Sequence, residues 1–252
     1  MHIQRIGFTP IKGGRHVEHG SVVLAPGGPV GDRLFSLVDL ERRRVLRTVE
    51  NPALLAGTAR WESGLLSIAL DGETLTAAPG PTGDRLELDY WGRPAAVEVV
   101  SGPWAAAYSR YLGREVVLTR AMRASELVYG ASVTIVTTGA LRLLSERAGH
   151  EIDAARFRAT FVLDTDDLEP HAEDSWAGRE LQMGAARLRI LKAVDRCAVI
   201  DFEPATGASG TRLLQTLATY RLRDAAIDFG MYAEVVTPAN VVRGDPVMLL
   251  PT

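Results

Sequence analysis

Cysteine is nearly absent from this chain: Cys197 is the only one in 252 residues. One thiol excludes an intrachain disulfide, and it cannot supply the four thiolates that an ordinary plant-type iron–sulfur cluster needs. A dominant charge is lacking too. With 28 Lys and Arg against 31 Asp and Glu the formal net charge is -3, so no polyanion-binding surface is expected and nucleic acid is not an expected partner. Long hydrophobic runs are missing. The apolar stretch at 95–100 is too short to span a bilayer, and Met1-His2-Ile3-Gln4-Arg5-Ile6 has no apolar signal-peptide core. A cytoplasmic protein with no membrane partner is the expectation. There is no Gly-x-Ser-x-Gly elbow, no Walker A loop and no Rossmann glycine fingerprint, so serine hydrolysis, nucleotide hydrolysis and nicotinamide or flavin binding lack their usual motifs.

What the chain does have is short strands separated by turns. Runs at 22–24, 35–39, 65–70 and 85–90 read as strands, with Pro26-Gly27-Gly28-Pro29 and Ala78-Pro79-Gly80-Pro81-Thr82-Gly83 between them. That spacing suits a small barrel or sandwich. A helix is expected over 102–112, where Trp104, Ala107, Tyr108 and Tyr111 share a face, and another over 138–148 with a threonine N-cap and Gly149 as its stop. Strands are expected again at 181–191 and 198–202, then a loop at 207–210 and a helix over 211–220. A boundary falls around 118–128. His16-Val17-Glu18-His19 does not read as a metal site, because strand residues three apart point to opposite faces.

The densest segment is Asp195-Arg196-Cys197-Ala198-Val199-Ile200-Asp201-Phe202-Glu203-Pro204-Ala205-Thr206-Gly207. A lone cysteine on a strand is ordinarily a small buried hydrophobe. Here Arg196 sets a cation beside the sulfur, and the thiolate is the form that acts as nucleophile or metal ligand. Arg196-Cys197 with the Glu203–Gly207 run resembles the signature of the MOSC family, named for the C-terminal domain of molybdenum cofactor sulfurases. Phe157-Arg158-Ala159-Thr160, Ala172-Glu173-Asp174-Ser175-Trp176, Phe229-Gly230-Met231-Tyr232 and Val242-Arg243-Gly244-Asp245-Pro246-Val247 resemble further family segments in the same order. Gly31-Asp32-Arg33-Leu34-Phe35 resembles the core of the barrel domain that precedes MOSC in the amidoxime-reducing branch.

The resemblance implies a mainly β (α+β) fold: an N-terminal β-barrel domain at 1–120 and a MOSC β-barrel domain at 121–252. It implies a molybdenum cofactor, Mo-molybdopterin, with Cys197 as the protein ligand to the metal and as the catalytic residue. Lys12, Arg33, Arg158, Thr160, Asp195 and Arg196 are implied to line the cofactor, with Tyr232 closing the pocket. Glu173 and Asp174 are expected to cap turn amides, and Trp176 to fill the core. The implied activity is reduction of N-hydroxylated or N-oxide small molecules, recharged by a separate electron-donor protein. The alternatives are a sulfur carrier with a pyridoxal phosphate-independent persulfide on Cys197, or a biosynthetic protein on the same scaffold that has lost molybdenum. Four positions depart from the family pattern: Gly13 follows Lys12 in place of serine, Thr160 replaces asparagine, Asp195 adds a carboxylate before Arg196-Cys197, and Val49 stands where an arginine is usual.

Overall fold

Short loops with glycine at positive φ set the architecture. In the computed structural model, which describes residues 1–251, Ser63-Gly64 and Asp71-Gly72 each form a two-residue turn with both residues at positive φ. Such turns match the twist of the strands they join, and they connect Thr58–Glu62, Leu65–Leu70 and Glu73–Ala77 into a meander. Alternation directs Leu66, Ile68 and Leu70 inward. They pack with Phe35, Leu37 and Trp104, and the Trp104 indole donates to the Leu75 carbonyl at 3.1 Å.

Five strands close a barrel in the order Gly80–Tyr90, Arg93–Ser101, Val117–Ala121, Phe35–Asp39 and Arg44–Val45. The second sheet runs Val17–His19, His2–Phe8, Phe161–Asp164, Val133–Thr137, Ala226–Thr237, Ala186–Asp195, Glu180–Met183 and Val247–Leu249. Its last strand returns to the start of His2–Phe8: Ile3 N donates to Asp245 O and Val247 N to Met1 O, each at 3.0 Å. The curved sheet wraps a core of Ile3, Ile6, Ile135, Phe161, Leu188 and Met231. Val133–Thr137 and Phe161–Asp164 are parallel neighbours, so their connection needs a crossover. It includes the helix Thr138–Ala148, which opens on Thr137, whose side chain accepts from Ala140 N at 3.3 Å, and closes on Gly149 at φ 76.

The fold is mainly β, with three α-helices among the described residues, Trp104–Leu112, Thr138–Ala148 and Leu213–Arg221. Among the described residues no helix is long and apolar enough to cross a membrane. Strand pairing crosses the chain division at 120, since His2–Phe8 lies beside Phe161–Asp164.

Two local expectations are corrected. The segment 181–191 is not one strand: Gly184, at φ 54, turns the chain so that Met183 pairs with Ala186. The segment 198–202 is not a strand but the 3-10 helix Ala198–Asp201. Its period-two pattern is real, but Ala186–Asp195 loses its partner after the Asp195–Asp228 pair. Arg196 N still donates to Ile227 O at 2.9 Å, and past it the chain bonds locally, Ile200 N donating to Cys197 O at 3.3 Å. Arg158 is the left-handed cap, at φ 51, of the 3-10 helix Ala154–Phe157.

Candidate functional site

The barrel and the second sheet meet across a cavity of ≈ 400 Å³. Each wall residue is delivered by the end of an element. Lys12 follows the first strand and is tied to the barrel through its amide, which donates to Phe35 O at 2.7 Å. Arg33 precedes the barrel strand Phe35–Asp39 at φ 48. Arg196 and Cys197 follow the strand Ala186–Asp195, and Tyr232 lies within Ala226–Thr237. Two arginines, Arg33 and Arg158, thus hold left-handed backbone conformations on this wall. Such conformations cost of order 1–3 kcal/mol each and cluster at functional sites.

Seven of the eight residues singled out in the sequence line this cavity: Lys12, Arg33, Arg158, Asp195, Arg196, Cys197 and Tyr232. Thr160 does not. It is 1% exposed, and its hydroxyl accepts from Thr134 N at 3.2 Å while Thr134 returns the contact to Thr160 N at 3.1 Å. The pair clamps the strand ends, and of the two only Thr134 reaches the cavity wall. Cys197 is exposed, which overturns the buried-hydrophobe reading.

The wall is crowded with cations. Lys12 sits well below the usual lysine range because burial disfavours its charge and Arg33 and Arg158 repel it. Burial, then Arg33, pulls Arg158 down to about 9. Burial, then Arg158 and Arg33, also pushes the adjacent His16 well down. The local carboxylate is Asp32, paired with Arg33 at 2.5 Å and itself shifted upward because burial outweighs that pairing. Arg158 donates to Gly14 O at 2.7 Å. Arg196 donates from Nε to Phe229 O at 2.7 Å and from Nη1 to Phe157 O at 2.9 Å. Its Nη2 is buried with no partner, and burial pulls the group down to about 10. These are the features of an anion site seen from the protein side: several positive charges, and a free donor, with too little negative charge to match.

The departures now have local reasons. Gly13 has φ 88, and a Cβ there would lie 2.8 Å from Leu54 Cδ1, so serine does not suit this backbone. Asp195 turns its carboxylate to the Ile227 amide, accepting at 3.2 Å, which occupies it at the strand end. Glu203 accepts from Arg156 at 2.7 Å, and Gly207, at φ 75, has the Pro52 carbonyl where a Cβ would stand. The Glu203–Gly207 run therefore braces the wall behind Cys197. Glu173 and Asp174 do not cap turn amides: Glu173 accepts from the Thr137 hydroxyl at 3.0 Å, and Asp174 takes Arg221 with two bonds of 2.8 Å. Trp176 does fill the core. His16 and His19 do not share a site, since His19 stacks on Phe8.

Sequence reasoning missed Arg47, Trp91, Tyr129 and Arg156, all in the cavity wall. Arg47 stands two residues before Val49, the position where the family pattern has an arginine, and its guanidinium lies 4.4 Å over the Trp91 ring. Nothing local in the sequence marks Trp91 or Tyr129.

A family model of the MOSC domain matches residues 123–248. No curated protein sequence matches the chain. Among solved structures it is similar to YiiM from Geobacillus stearothermophilus, at 17% identity over 48% of this chain and 54% of that one, with a TM-score of 0.35. That match spans about half of the YiiM chain. It is also similar to the YuaD protein from Bacillus subtilis, at 11% identity over 98% and 93% of the two chains, with a TM-score of 0.46. A third structure, described as a hypothetical protein, aligns at 12% identity over 100% and 69%, with a TM-score of 0.43.

Proposed function

Because the chain belongs to the MOSC domain family, we propose that it is a molybdenum cofactor enzyme that reduces N-hydroxylated or N-oxide small molecules. The observation that carries this reading is the convergence of an exposed thiol, an unpartnered buried Arg196 Nη2 and an undercompensated Lys12–Arg33–Arg158 cluster on one cavity. An anionic pterin phosphate and a soft metal are the two chemistries that these donors suit. The residues present therefore fit the group.

When bound, the cofactor supplies a two-electron couple that takes up oxygen from a substrate N–O bond; the protein supplies the rest. Cys197 offers the sulfur ligand. Arg158, Arg33 and Lys12 hold the anionic end, and an anion among them restores the charge that burial and mutual repulsion penalise. Arg196 fixes the turn that carries Cys197 through the Phe229 and Phe157 carbonyls and keeps Nη2 for the ligand. Tyr232, raised above the usual phenol range chiefly by burial, stays protonated at neutral pH and can donate a hydrogen bond into the cavity. Overall, an N–O bond is cleaved by two electrons and two protons, and the oxygen leaves as water.

The exposure of Cys197 also favours a second reading, a persulfide carrier, because an outgoing sulfur must be reachable. One preparation separates the two. Molybdenum and pterin content with viologen-driven N-oxide reduction supports the first, whereas metal-free protein with a sulfur adduct on Cys197 in its mass spectrum supports the second.

A further inference from the structure

A third tight turn of the barrel half breaks the pattern of the others. Tyr90 pairs with Arg93 across Trp91-Gly92, with φ 57 and 77 at the two central residues. The equivalent first positions elsewhere are Ser63 and Asp71. A bulky aromatic at positive φ is disfavoured, and burial does not offset the cost, because Trp91 is 50% exposed. It packs between the Arg47 guanidinium, 4.4 Å over its ring, and Tyr129, 55% exposed, with ring centroids 5.0 Å apart and planes at 48°.

The two rings are held there by construction. The Tyr90 hydroxyl donates to Leu127 O at 3.0 Å, and Arg93 Nη2 donates to Glu126 O at 2.8 Å and Val128 O at 2.9 Å. These bonds tie the hairpin to the segment that carries Tyr129. The next residue, Gly130, has φ 73 and the Tyr232 ring 2.4 Å from where its Cβ would be. Trp91 and Tyr129 line the same cavity as Cys197. A half-exposed pair, placed at a backbone cost on a cavity that also carries Lys12, Arg33 and Arg158, calls for a flat apolar ligand surface.

We propose that Trp91 and Tyr129 form a substrate-selecting mouth, so that the site takes molecules in which the N–O group is attached to or part of a planar aromatic ring, in preference to compact aliphatic ones. The N–O part rests on the oxygen-transfer reading above; the ring preference is a property of the mouth itself. Aromatic contacts of this kind are worth a factor of roughly three to ten in affinity.

The test is calorimetric binding of pyridine N-oxide and trimethylamine N-oxide to the purified full-length protein, to Trp91→Asn, Trp91→Phe and Tyr129→Ala. Asparagine suits positive φ, so Trp91→Asn keeps the turn and removes the ring together with its Arg47 contact. The wild type is expected to prefer pyridine N-oxide. Trp91→Asn and Tyr129→Ala are expected to lose that preference by roughly three- to tenfold, with molybdenum content and trimethylamine N-oxide affinity unchanged, while Trp91→Phe keeps most of it. Equal affinity for the two ligands in the wild type, no binding of either, equal losses for both in the variants, or loss of molybdenum from them overturns the proposal. Selective binding of pyridine N-oxide without its reduction leaves the aromatic mouth standing and removes the oxygen-transfer reading instead.

Discussion

Lys12 shows the state of the cavity wall most sharply. Its folded-state pKa lies well below the usual 10.5, from burial first and then from Arg33 and Arg158. The folded chain thus binds fewer protons at this site than the unfolded chain over the interval between the two values. The penalty is full below the folded value and is relieved as pH rises towards 10.5. Relative to Lys12→Met, the wild type should gain thermal stability as pH rises towards 10.5, and phosphate should raise its melting temperature more than that of the variant. Melting curves of both proteins, with phosphate and with chloride, check this; identical slopes for the two show that the lysine carries no such strain. Arg158 and Arg196 make the companion prediction. Removing a buried charge-assisted contact costs about 1.5–3 kcal/mol, so Arg158→Ala or Arg196→Ala should retain one to two decades less pterin. Lysine at either position should restore only part, since the planar fork is lost. Pterin content of the purified variants is the readout, and unchanged content speaks against an anion site.

Elements differ in how plainly the sequence announces them. The Leu65–Leu70 strand and the Thr138–Ala148 helix were legible because period, cap and turn residues agree locally, down to Thr137 and Gly149. The 198–202 segment was not, because its fate depends on a partner strand that turns away near Asp228, some thirty residues later in the chain. The closure of the second sheet by His2–Phe8 is nonlocal in the same sense. Seven of the cavity residues were legible only as a family pattern. Trp91 and Tyr129 were not, because no short-range signal says that two turns meet. Gly207 belongs to this scale. Its φ of 75 and its approach to Pro52 join the Glu203–Gly207 loop to the 3-10 helix Pro52–Ala56. Gly207→Ala should cost more than the roughly 1 kcal/mol of backbone preference alone and lower the melting temperature by several degrees. A melting temperature equal to that of the wild type contradicts this account of the loop.

For the molecule as a whole, two β units share one cavity, and its wall is drawn from both. The 252 residues hold one thiol and no nicotinamide fingerprint, so the proposed reductase reading carries with it a proposal that a separate donor supplies the electrons. Purified protein should therefore show no NADH- or NADPH-driven reduction and should turn over with reduced viologen; steady NADH turnover without a partner contradicts that route. The central claim is that Cys197 holds molybdenum on an otherwise cationic wall. Its most direct test is the molybdenum content of wild type and Cys197→Ser, expressed side by side in a host that makes the cofactor, with melting curves for both. Serine is a poor ligand for a soft metal, and Cys197 is exposed, so the account predicts stoichiometric molybdenum in the wild type, little in the variant, and matching melting temperatures for the metal-free forms. Wild type without molybdenum, or a serine variant that retains it in full, contradicts the account.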